Sequence, residues 1–167
     1  MDTNELSALW APWRVEYFKA GGASPDFLLE AANATDDAAH LVVTRGKSVF
    51  LIMNRYPYAV GHLMAVPYRK VATIADLTDT EKLELWDLAE HGQCLLREAV
   101  RAQGFNVGLN LGKCAGAGVV EHLHLHIVPR WDGDHNFMPV LSDTRILPEA
   151  LDALFQKLIA AQAKLAG

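Results

Sequence analysis

Cysteine is scarce in this chain: two residues in 167, Cys94 and Cys114. They form neither a CxxC pair nor a disulfide framework, which excludes a small stapled scaffold and fits a reducing, cytoplasmic setting. Positive charge is also in short supply, 15 Lys and Arg against 20 Asp and Glu, giving a net charge of −5. No global basic field exists to bind nucleic acid or anionic membrane, so any phosphate recognition has to be local. Long hydrophobic runs are missing as well. Stretches such as Val49 to Met53 are far too short to span a bilayer, and Met1 to Arg14 lacks the basic-then-apolar order of an export signal. With 12 Gly, 7 Pro and 51% hydrophobic residues, neither collagen nor disorder is an option. The length suits one domain with an extra arm.

The first 38 residues have the character of an arm: Leu9-Trp10-Ala11-Pro12-Trp13-Arg14 and Tyr17-Phe18, broken by Gly21-Gly22-Ala23-Ser24-Pro25. The paired tryptophans suit a cover over the core or a subunit interface, or a ring stacked on a base. A domain over 39–167 follows. Leu41 to Thr44, Val49 to Met53 and His62 to Val66 are β-rich runs with short connections, which predicts an antiparallel meander. The period then changes. Thr78 and Glu81 have capping-box spacing, and Leu85, Leu88, Ala89, Leu95, Leu96, Ala99 and Val100 recur at helical spacing until Gly104. Strand character returns over Phe105 to Leu111 and Val119 to Val128, around the loop Gly112 to Gly118. Pro148 opens a C-terminal helix whose Leu151, Leu154, Phe155, Leu158 and Ile159 share a face. The expected fold is α+β: an antiparallel sheet of about five strands, one long central helix and a C-terminal helix.

The chemistry concentrates in His122-Leu123-His124-Leu125-His126. On a strand these imidazoles line one face, while Leu123, Leu125 and Ile127 cover the other. Same-face neighbours are roughly 6.6 to 7 Å apart, so adjacent rings can surround one phosphoryl group without touching. Three readings compete: packed histidines, a metal site of neutral imidazoles, or phosphoryl or nucleotidyl transfer through a histidine nucleophile. The Gly112 to Gly118 loop can turn backbone N–H groups toward an anion, but it fits neither a P-loop nor a dinucleotide fingerprint. Lys113 and Arg130 are candidate phosphate partners that solvent or structure can equally claim. His40, His91 and His135 have no partner at meaningful spacing, and Cys114 is a weak alternative nucleophile.

His122-Leu123-His124-Leu125-His126-Ile127-Val128 resembles the histidine triad (HIT) family signature at every position. Asn54 followed by Gly61-His62, and Gly104-Phe105-Asn106-Val107-Gly108-Leu109-Asn110, extend the resemblance over roughly residues 40 to 131. Leu9 to Arg14, Gly61 to Met64 and Glu121 to Trp131 are similar to the branch holding bacterial diadenosine-tetraphosphate phosphorylases and Fhit-like proteins. The resemblance implies a HIT-like fold and cleavage of dinucleoside polyphosphates at the α-phosphate, with His124 as nucleophile in a nucleotidyl-histidine intermediate. It implies a leaving-group or phosphate contact for His126, an orienting role for His122, and His62 as a fourth histidine. Asn54 then lies by the ribose, Asn110 by the phosphate, and Gly116 and Gly118 in the phosphate loop. It further implies a purine nucleotide substrate, a homodimer, and no obligatory cofactor beyond a divalent cation accompanying the phosphates. Alternatives in the same fold are a non-catalytic nucleotide sensor or an adenylyl amide or sulfate hydrolase. This chain departs from many HIT hydrolases in having Gly118 and Val119 where they carry glutamine and a hydroxyl residue, which leaves room for inorganic phosphate rather than water as acceptor.

Overall fold

The computed structural model describes residues 26–134 and 150–166. The aromatic pairs of the arm, His135 and Pro148 lie outside them. Five strands, β1 (Val42–Arg45), β2 (Val49–Met53), β3 (Leu63–Pro67), β4 (Gly104–Leu109) and β5 (Leu125–Arg130), form one antiparallel sheet in the order β1-β2-β3-β5-β4. The expected meander is β1 to β3. The chain then crosses one face in a long helix and returns as β4, an edge strand, and β5, which inserts beside β3.

Each face of the sheet has its own apolar layer, because residues alternate across a strand. Leu51, Met53, Leu63, Ala65, Leu125 and Ile127 face one side, where α3 (Asp79–Val100) and α4 (Leu151–Leu165) pack through residues such as Leu85, Leu95, Leu96, Leu154 and Leu158. Val42, Phe50, Ile52, Met64 and Val66 face the other and receive Leu28 and Ala31 of α1 (Phe27–Asn33). The helix α3 starts as its sequence specifies. Thr78 accepts from the Glu81 backbone N–H, and the Glu81 carboxylate accepts from the Thr78 N–H at 2.8 Å. Glu81 also holds Arg69 through bonds of 2.7 and 2.6 Å, and this pairing, followed by Thr78, pulls its carboxyl down to about 2 against burial. The helix ends earlier than Gly104, at Arg101, whose left-handed backbone (φ 54°) closes the final turn.

Two short helices, α1 and α2 (Asp37–His40), precede β1, where the sequence reading has only the end of the arm. Alone a seven-residue helix is not stable in water. Here Arg45 of β1 donates to the carbonyls of Ala31, Ala32 and Ala34, at 2.9 to 3.1 Å, and to Asp37 at 2.8 Å. A guanidinium fork thereby satisfies the exposed carbonyl end of α1. The last strand corrects a second expectation. It begins at Leu125, not Val119, because β3 ends in Pro67, which has no N–H to extend the ladder. The Leu123 N–H turns instead to the Val71 carbonyl, at 2.7 Å.

Candidate active site

His126 alone of the three motif histidines sits in the sheet, opposite Met64. His122 and His124 precede the strand. Alternation persists nonetheless: Leu123 joins Leu125 and Ile127 in the helix-side core. Because the chain has left the ladder, the His124 and His126 rings come within 4.7 Å of each other, edge to face, closer than the strand repeat predicts. Both line a cavity of about 130 Å³ on the α1 face. Asn54, Gly116 and Gly118 line it too, with Tyr56, Tyr58, Met64, Phe27 and Val119. Gly116 holds φ at +87°, and a Cβ there meets nothing within 4 Å, so the glycine is set by backbone conformation and not by crowding.

The other motif residues stand behind this wall. His122 does not line the cavity; it is buried, with Nε2 2.8 Å from the Pro67 carbonyl. His62, also buried, places Nε2 2.9 Å from His126 Nδ1. Asn110 lies 3.3 Å from His126 Nε2. Lys113 and Cys114 sit exposed in a short 3-10 turn of the loop, outside the lining. Arg130 is at the far end of β5, bound to Asp134 at 2.6 and 2.7 Å. His91 is half-buried on α3.

Hydrogen bonds assign the protons. A carbonyl only accepts, so the 2.8 Å contact between His124 Nδ1 and the His122 carbonyl puts a proton on Nδ1 and leaves Nε2 with its lone pair. At His62 the Tyr58 backbone N–H donates to Nδ1 at 3.2 Å. The Tyr56 N–H donates to Asn54 Oδ1 at 2.8 Å, which fixes the amide so that Asn54 Nδ2 also donates to His62 Nδ1, at 3.2 Å. The neutral His62 ring therefore carries its proton on Nε2 and donates it to His126 Nδ1. His126 then carries its own proton on Nε2, and the Asn110 amide, whose Nδ2 lies 3.3 Å from that nitrogen, has to turn its oxygen there to accept it. One ring offers a lone pair and its neighbour a donor.

Burial keeps these rings neutral. It is the main cause in all four, lowering His124, His122, His126 (to about 4) and His62. For His126 and His62 neighbouring imidazoles add to the effect; for His122 and His124 a hydrogen bond to a carbonyl opposes it. A reactive centre with a free imidazole nitrogen at neutral pH is the result. Among the described residues, no three His, Cys, Asp or Glu side chains are placed to hold a metal ion.

A second cavity of about 240 Å³ adjoins the first, and the rings of Phe27 and Tyr56 line both. Ala31, Leu41, Ile52 and Met53 form its apolar wall, with Glu30 and Arg55 among its polar residues. Sequence reading missed this cavity and the two tyrosines. The cluster Tyr56-Pro57-Tyr58 beside Asn54 was the signal available.

Residues 35–133 match the HIT domain. Over 156 residues the chain is 41% identical to a Mycobacterium tuberculosis protein named AP-4-A phosphorylase, covering 89% of this chain and 80% of that protein. It is 36% identical over 81 residues to a Dictyostelium discoideum bis(5'-adenosyl)-triphosphatase, covering 48% of this chain and 54% of that protein. Among solved structures, a zinc-bound histidine triad family protein from Mycobacterium smegmatis shares the fold with a TM-score of 0.66 at 23% identity, covering 84% of this chain and 93% of that one. The domain match and the overall identity agree: the chain belongs to the histidine triad (HIT) family.

Proposed function

We propose that this protein cleaves dinucleoside polyphosphates such as diadenosine tetraphosphate at the α-phosphate, by way of a nucleotidyl group carried on His124. The observation that carries the reading is the 2.8 Å bond from His124 Nδ1–H to the His122 carbonyl, which leaves Nε2 as a neutral nucleophile in a ring lining the cavity. In the first step Nε2 attacks the α-phosphorus, a P–N bond forms, and the bond to the bridging oxygen breaks, releasing a nucleoside polyphosphate. His126 lines the same cavity, and its ring suits a contact with a phosphate or leaving-group oxygen. In the second step an acceptor attacks phosphorus and frees Nε2. With inorganic phosphate, diadenosine tetraphosphate gives ADP and ATP; with water it gives AMP and ATP. The named activities of the relatives support both acceptors: AP-4-A phosphorylase and bis(5'-adenosyl)-triphosphatase. Gly118 and Val119, which offer no side-chain hydrogen-bond donor at the cavity wall, favour phosphate.

The second cavity suits the base, a purine between apolar residues and the Phe27 and Tyr56 rings, with Asn54, on the wall of the first cavity, beside the ribose. A divalent cation enters this reading with the substrate's phosphates. The half-exposed edge strand β4 supports a homodimer in which two sheets join. Two free, exposed cysteines, Cys94 and Cys114, fit a reducing compartment such as the cytoplasm, and among the described residues no helix is long and apolar enough to cross a membrane. The deciding experiment is product analysis from diadenosine tetra- and triphosphate with and without inorganic phosphate. ADP plus ATP from the tetraphosphate, only when phosphate is present, is the expected result; no cleavage of either compound refutes the reading.

A further inference from the structure

Three charged side chains outside the histidine cluster meet where three separate segments approach. Lys70, three residues past the end of β3, pairs with Asp26 at the start of α1 and, at 3.3 Å, with Glu121 in the loop just before His122. Each anion is close in sequence to a residue that lines the first cavity. Asp26 adjoins Phe27, and Glu121 lies two residues beyond Val119. Phe27 and Val119 both line that cavity and both rest on the α1-side apolar layer.

Neither wall is a sheet element. The helix α1 has seven residues and no side-chain bond at its Asp26 cap. Between β4 and β5 the only regular structure is the turn Lys113–Ala115. The loop docks on the end of β3 and the segment after it through neutral bonds, His122 Nε2–H to the Pro67 carbonyl and Leu123 N–H to the Val71 carbonyl. Asp26 reaches the same segment by charge, and Lys70 is the residue common to both walls.

We propose that Lys70 is a positioning residue for substrate binding: it clasps α1 to the loop and so sets the width of the nucleotide cavity. This rests on the reading that the cavity takes the nucleotide. A lysine can serve two carboxylates at once because its ammonium carries three donors on a flexible stem. Without it, Asp26 and Glu121 become neighbouring like charges and the walls repel. Both pairs are partly exposed, with side-chain exposures of 29% for Lys70, 48% for Asp26 and 79% for Glu121. Such pairs are each worth at most about fivefold in an equilibrium, enough to tune binding without deciding the fold.

The test uses the full-length protein with diadenosine tetraphosphate and inorganic phosphate. In Lys70→Met the KM rises about fivefold while kcat stays within about twofold, and Lys70→Arg returns KM to within about twofold of wild type. Glu121→Gln raises KM in the wild-type background and lowers it in Lys70→Met, because there it removes repulsion. In parallel, without substrate, amide hydrogen exchange in Lys70→Met speeds up together at residues 27 to 31 and 116 to 121. Unchanged exchange at either segment overturns the clasp, as does an unchanged KM in Lys70→Met where the wild-type enzyme turns over. A wild type inactive on every dinucleoside polyphosphate, with exchange responding as stated, overturns the substrate reading and leaves the clasp standing. Should Lys70→Met fail to fold, Glu121→Gln and Lys70→Arg supply the same comparison.

Discussion

His62 Nε2 lies 2.9 Å from His126 Nδ1, and the two backbone-anchored donors on the far side of His62 leave it no choice but to give its proton to that bond. His126 is thereby held in the tautomer that carries its proton on Nε2. His62→Ala removes this constraint without touching the cavity wall. Expected is a fall in kcat of about tenfold to a hundredfold with little change in KM, since a donor is misassigned and not lost. His62→Gln, which keeps an N–H donor on that side, recovers part of it. Nitrogen NMR of labelled histidine reports the tautomer directly: Nε2–H for His126 in wild type and a mixture in His62→Ala. A single unchanged tautomer in the variant contradicts the relay.

The nucleophile assignment has its own pair of outcomes. His124→Ala abolishes turnover and leaves nucleotide affinity within about tenfold, because the ring acts mainly in the covalent step. Burial of His124 lowers its pKa, so the neutral form survives to lower pH than in a free imidazole. The acid limb of kcat/KM accordingly falls below pH 6.5, the ordinary histidine value, and not at it. A rate profile between pH 5 and 8 checks this; a limb at 6.5 or above refutes it.

How much of this was legible beforehand follows from which interactions are local. The α3 start was readable because Thr78 and Glu81 satisfy each other within one turn. The core face of the last strand was readable because Leu123, Leu125 and Ile127 alternate. Those patterns need no knowledge of the rest of the chain. What stayed hidden depends on distant partners. The helix α1 exists through Arg45, eleven to fourteen residues away, supplying the donors its carbonyl end lacks. His122 and His124 leave the ladder because a proline in another strand ends it. Asn54 was read as a ribose contact from resemblance; its side-chain bonds to His62 and the Tyr56 backbone appear only when loop and strand are brought together.

The same burial that keeps the histidines neutral makes the fold sensitive to acid. For each of His62, His122, His124 and His126 the folded value lies below the unfolded one, so the unfolded chain binds more protons once the pH drops under 6.5. Their contribution is fully present above 6.5 and is lost as pH falls from there toward about 4, the folded value of His126. Glu81 adds a similar loss only lower, between its ordinary 4.5 and about 2. The melting temperature is expected to decline already between pH 6.5 and 5, before Glu81 contributes, and less steeply in His126→Asn. A flat melting temperature over that interval refutes it.

Among the described residues, two non-glycine residues have left-handed backbone conformations, Leu41 at φ 59° and Arg101 at φ 54°, and the same substitution should act on them with opposite sign. An L-residue in this region is strained by roughly 1 kcal/mol, which glycine relieves. The Arg101 side chain is exposed, and the bonds that close α3 come from its backbone: its N–H donates to the Arg97 and Leu96 carbonyls, and its own carbonyl accepts from Trp131 Nε1 at 3.0 Å. Arg101→Gly retains them all and is expected to stabilise by about 0.5 to 1 kcal/mol, the gain being limited by the greater freedom of glycine in the unfolded chain. Leu41 closes α2 in the same conformation, but its side chain is buried in the core at 5% exposure and borders the second cavity. Leu41→Gly forfeits that burial, a loss of about 2 kcal/mol or more that outweighs the strain removed. Thermal or urea unfolding of both variants checks the pair. If both stabilise, the packing assigned to Leu41 is wrong; if both destabilise, the strain assigned to Arg101 is.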